Sequence, residues 1–156
     1  MSFDYYVAIA QDNWPTAAAV QRALKNLGYP LALVSSPDQP FSTADGGFGL
    51  PVVFESRQVE LEVDIERATE IDDPESLFGY IAACSAPHFK ISDGDYFLTL
   101  TFRSDADRIR AGLYLAAALI LTFGGYGFEN QFETHGNADF ASQLVAEATN
   151  ASAFED

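Results

Sequence analysis

Residues 59–66, "VELEVDIE", constrain this chain more tightly than any other stretch, because they alternate apolar and acidic without a fault. Successive side chains of a strand leave opposite faces of the sheet. Val59, Leu61, Val63 and Ile65 therefore share one side, and Glu60, Glu62, Asp64 and Glu66 share the other. A helix would scatter both sets around its circumference. The segment predicts a half-buried strand, in a sheet with one face on a core and a carboxylate ladder on the other. The acid continues in "TEIDDPE" (69–75), which adds Glu70, Asp72, Asp73 and Glu75.

A second constraint is the uncharged run 111–128, "AGLYLAAALILTFGGYGF". It approaches the roughly 20 residues needed to span a bilayer, but Gly-Gly-Tyr-Gly-Phe at its end leaves too few helical positions. Arg108 and Arg110 flank one end and Glu129 the other. The pattern predicts a buried central helix over 105–123, capped by Ser104 or Asp105 and apolar nearly all round. Gly124 or Gly125, in the left-handed conformation, ends it. "FGGYGF" is not a phosphate loop, since a helix precedes its glycines and no lysine follows. "ADGGFG" (44–49) lacks a helix after it and fails in the same way.

Around these two segments the chain reads in order. Strand 3–10 precedes a helix that Asp12 or Asn13 caps, with Pro15 in its first turn. Val20, Leu24 and Leu27 form its apolar stripe, and Gly28 and Pro30 stop it. Strand 31–36 completes a β-α-β unit. Loop 37–49 is dense in Pro, Gly, Ser and Asp and is the expected mobile segment. Val52–Phe54 and Val59–Ile65 form a hairpin through "ESRQ", without the favoured Asn-Gly. A short helix starts at Pro74, a short strand covers 88–91, and Ser92–Asp95 makes a turn. Strand 96–103, a strand around Tyr126–Gln131 and a helix over 138–149 complete the chain. No repeat or linker divides residues 1–156, and the length suits one domain with a real core. The expected class is α+β: one mainly antiparallel sheet with about three to four helices packed on one face.

Charge narrows the function. Twenty-three acidic side chains face eight basic ones, for a net charge of −15. Such a surface repels nucleic acid and anionic lipid and draws in basic partners. Solubility alone is the competing account of the same acid. The start of the chain has no basic region before its apolar run, so a cytoplasmic location without a signal peptide or membrane contact is expected.

No catalytic, cofactor-binding or metal-binding residue emerges from the motifs. Cys84, the single cysteine, sits in apolar "YIAACSA" and reads as a core residue. His88 and His135 belong to no nucleophile motif, and His135 lies in a polar turn, "ETHGN". A metal site would need both histidines to meet a carboxylate such as Glu133. "SDGDYF" is too short for a calcium loop. The chain is therefore expected not to be an enzyme and to need no cofactor.

Two stretches carry a resemblance: "GGFGLPVVFESRQVELEVDIE" and "DYFLTLTFRSDADRIRAGLYLAAALILTFGGYGFENQ". Together they resemble small bacterial proteins of the kind encoded beside polymorphic toxins as immunity proteins. The pattern covers about half of the chain. In those proteins the segment after the glycines usually reads Gly-Gly-apolar-x-x-Asp-Pro-Gln, whereas this chain has Glu129 for the aspartate and Asn130 for the proline. The resemblance implies a non-catalytic protein that neutralises a basic toxin domain by binding it and occluding its active site. The expected partner-binding residues are Glu60, Glu62, Asp64, Glu66, Glu70, Asp72, Asp73 and Glu75. A nucleic-acid-mimicking inhibitor of the phage anti-defence type uses the same acid, and a small-molecule-binding domain would use the 37–49 loop.

Overall fold

The computed structural model describes residues 2–43, 49–86, 88–129 and 134–150. Its strands are β1 (Phe3–Ile9), β2 (Leu31–Leu33), β3 (Gly49–Phe54), β4 (Arg57–Arg67), β5 (Tyr96–Phe102), β6 (Tyr126–Glu129) and β7 (Thr134–Gly136). Its helices are α1 (Ala17–Asn26), α2 (Leu77–Ser85), α3 (Ala106–Phe123) and α4 (Ala138–Thr149).

Local chemistry sets the ends of these elements. Thr16, not Asp12 or Asn13, caps α1, accepting from Ala19 N–H at 3.0 Å; Gln11–Asn13 form a separate 3-10 turn. Asp105 caps α3 by accepting from Arg108 N–H at 3.1 Å. Gly124 ends α3 at φ 69°, in the left-handed region that a side chain disfavours. The β3–β4 hairpin turns on Glu55 and Ser56, both at positive φ (49° and 71°). A primed two-residue turn requires that geometry even though neither residue is glycine.

All seven strands join one antiparallel sheet in the order β2-β3-β4-β5-β1-β6-β7. The opening β1-α1-β2 unit thus places its two strands four positions apart, with β3, β4 and β5 between them. On one face Val7, Ile9, Val52, Phe54, Leu61, Val63, Leu98 and Leu100 join the apolar sides of α1, α3 and α4 in the main core. Helix α3 is central there: Ala111–Ile120 are all buried.

Three helices lie on one face, as the apolar patterns require. Helix α2 does not join them. Its Ile81, with Phe78 packed alongside, belongs to a second cluster with Tyr6, Ala8, Phe97 and Phe128 on the opposite face. The expected strand at 88–91 is absent. The backbone there turns back on α2 through hydrogen bonds from His88 and Phe89 N–H to Ser85 O. His135, expected in a turn, lies instead on β7 and pairs with Phe128. Loop residues 37–43 are pinned rather than free. Phe41 is buried, and Trp14 Nε1 donates to its carbonyl at 3.0 Å. Residues 44–48 and 130–133, including the expected end of a strand at Gln131, lie outside the described residues.

Candidate functional site

The acidic ladder forms as the alternation demands. In β4, Leu61 and Val63 are buried while Glu60, Glu62 and Glu66 are exposed and Asp64 is half-buried. The four carboxylates stand in one row, spaced roughly 6.6 Å apart by the two-residue repeat of a strand.

The sheet adds a neighbour that the sequence did not single out. Cross-strand pairing sets Thr101 beside both Glu62 and Asp4. Thr101 Oγ1 donates to Asp4 Oδ1 at 2.8 Å, and Tyr6 O–H donates to Asp4 Oδ2 at 3.4 Å. Asp4 is a carboxylate on the same face, two strands away. Its isolated position near the start of the chain carries no periodic signal, and only the β1–β5 register puts it there.

Little positive charge answers this acid. Arg103 Nη2 reaches Glu62 Oε1 at 3.1 Å, with the two side chains 66% and 45% exposed. An exposed pair of this kind contributes about 0–1 kcal/mol. Arg67, at the end of β4, is committed elsewhere: it donates to Gly94 O at 2.6 Å and Gln11 Oε1 at 2.9 Å, and stacks on Tyr96. Among the described residues no ion pair reaches Glu60, Asp64 or Glu66. Partial burial, and then the charge of Asp64, push the Glu66 carboxyl above its usual range.

Residues Glu70, Asp72, Asp73 and Glu75 lie apart from the strand row, on the loop that carries the chain from β4 to α2. Their roles differ. Asp73 Oδ1 accepts from Glu75 N–H at 2.9 Å, and the carbonyls of Glu70 and Asp73 both accept from Ser76 Oγ at 2.8 Å. Ser76 caps α2, so part of this cluster builds the turn. The row and the loop meet near Phe97, which pairs with Glu66 and carries the Phe78 ring at 4.7 Å.

Two concavities among the described residues adjoin the acid, and a third lies away from it. A cleft of about 320 Å³ opens at the far end of the row between Glu60, Glu62, Thr101, Arg103 and Arg108, and carries both signs of charge. A groove of about 440 Å³ runs beside α2. A cavity of about 230 Å³ lies under residues 37–43, lined by Ser35, Gln39, Phe41 and Ser42 among others, with no ionisable side chain among the described residues that line it.

The histidines stay apart in role. His88 is exposed after α2. His135 Nδ1 shares a short hydrogen bond with Tyr126 O–H, and its ring stacks on Phe128. Glu133 lies outside the described residues. Among the described residues no three His, Cys, Asp or Glu side chains are grouped to hold a metal ion, and no helix is long and apolar enough to cross a membrane. Comparison with family models, with curated proteins and with solved structures found no match, so the functional reading rests on geometry and charge.

Proposed function

We propose that the protein is a non-catalytic acidic binding protein, an immunity-type antagonist that binds a basic bacterial toxin domain and occludes its active site. The observation that carries this reading is the row Glu60, Glu62, Asp64 and Glu66. It occupies a water-facing sheet surface with Asp4 behind it and one exposed arginine in partial compensation. Carboxylates held on a rigid sheet steer a cationic partner and exclude like-charged ones. A rigid strand also fixes their backbone spacing before binding, so little backbone ordering is left to pay on association.

The test is capture of partners from the bacterial source, followed by association kinetics for the captured basic protein. Reversing Glu62→Lys and Asp64→Lys together slows association about tenfold at low salt and flattens its salt dependence. The same variant loses rescue of cells expressing that partner. Unchanged association and rescue overturn the assignment of the face. Capture of a nucleic-acid-binding defence enzyme, inhibited in competition with DNA, replaces the toxin reading with nucleic-acid mimicry.

A further inference from the structure

Helix α2 contains no charged residue, yet the sheet beneath uses only part of it. Ile81 is buried against the sheet, while Leu77 and Tyr80 remain 44% and 36% exposed. Along its flank runs the groove of about 440 Å³, walled by Ile71, Gly79, Ala82, Ala83, Phe89 and Ile91, with Asp72 and Lys90 also on its lining. Leu77 and Tyr80 do not line that groove; its own apolar surface comes from half-buried Ile71, Ala82 and Phe89 and exposed Ala83.

The groove and the acid are held together. A side chain at Gly79 would place its Cβ 1.9 Å from Asp73 O, so the acidic loop lies directly against the first turn of α2. The exposed Glu70, Asp72, Asp73 and Glu75 therefore lie on the loop next to the groove, with Asp72 and the cation Lys90 both on its lining.

We propose that this groove receives an apolar side chain from a basic protein segment, whose flanking lysines or arginines lie over the 70–75 carboxylates and Glu66. The proposal rests on the acidic-face reading above and adds the anchor that reading lacks. Exposed carboxylates raise the rate of encounter, but most binding energy concentrates in desolvated apolar pockets ringed by polar groups. The groove beside α2 is the apolar concavity that adjoins the acid.

The test uses the full chain and two fluorescent synthetic peptides of equal positive charge. One is an amphipathic Leu/Lys helix, and the other has every leucine replaced by serine. Anisotropy at about 0.15 M salt shows the Leu/Lys peptide bound at least about tenfold more tightly. The Ala83→Gln and Ala86→Gln substitutions, at exposed positions of the groove, remove that preference and leave Ser/Lys binding unchanged. Unaltered urea midpoints show that both variants are folded. Equal affinity of the two peptides for the unmodified chain overturns the groove proposal and leaves the acidic reading standing. So does a preference that survives both substitutions. Failure of both peptides to bind removes the two together.

Discussion

Arg110, on α3, donates from Nη1 to Glu55 Oε1 at 2.7 Å, tying the central helix to the β3–β4 turn. The same guanidinium donates from Nε to Ala148 O at 2.7 Å and lies over the Phe54 ring at 5.1 Å. One side chain, 14% exposed, thus joins three elements distant in sequence. A planar fork achieves this where a lysine cannot. Arg110→Lys is expected to lower stability by about 1–2 kcal/mol, and Arg110→Ala by about 2–3 kcal/mol, since charge-assisted bonds and ring packing go together. Glu55→Gln, at a side chain 43% exposed, costs about 0.5 kcal/mol or less. Urea unfolding of the three variants checks the order, and equal midpoints would show that Arg110 does not bridge the elements.

Gly112 reverses the usual rule for glycine in a helix. Replacing a mid-helix glycine by alanine ordinarily stabilises by about 0.5–1 kcal/mol. Here an added Cβ would lie 2.4 Å from the Phe102 ring. That ring cannot swing clear, being packed against Phe3 and Tyr5 at 5.5 and 5.4 Å. Overpacking of about 1–3 kcal/mol outweighs the propensity gain, so Gly112→Ala is expected to lower the thermal midpoint by several degrees. A raised midpoint would show that α3 and β5 tolerate separation.

Stability should also rise as the solution is acidified through the mildly acidic range. Burial and then Asp64 push the Glu66 carboxyl up from 4.5, and burial and then Glu129 do the same for Glu147. A carboxyl whose value is raised by folding binds its proton more tightly in the native state. Its contribution is full below about 4.5 and is lost as pH rises through the raised value. As pH falls through the raised values toward 4.5 the urea midpoint is therefore expected to climb, and Glu66→Gln with Glu147→Gln to flatten the climb. A slope unaffected by both substitutions would assign it to the net charge instead.

Periodicity and caps made much of this fold legible. The alternation at Val59–Glu66 placed each side chain of β4 on its correct face, because a period of two has one solution once a face is buried. Helix α4 occupies 138–149 as its apolar spacing predicts, and the Gly124 stop lies where the helical run ends. The side taken by α2 was not legible. Its sequence is apolar nearly all round, so no stripe says which sheet face it covers, and only the aromatic cluster of Phe78, Phe97 and Phe128 decides it. Asp4 was hidden for a related reason, since a lone aspartate in an apolar strand gains its meaning from Thr101, 97 residues on.

Local chemistry by itself thus determined most of the strands and helices, where several of them end, and that a carboxylate row faces water. These follow from interactions within a few residues along the chain. The strand order, the placement of α2 and the junction of acidic row, acidic loop and apolar groove came from the folded whole. Pairing between distant strands is selected by how their faces pack together, a choice that no short segment makes alone.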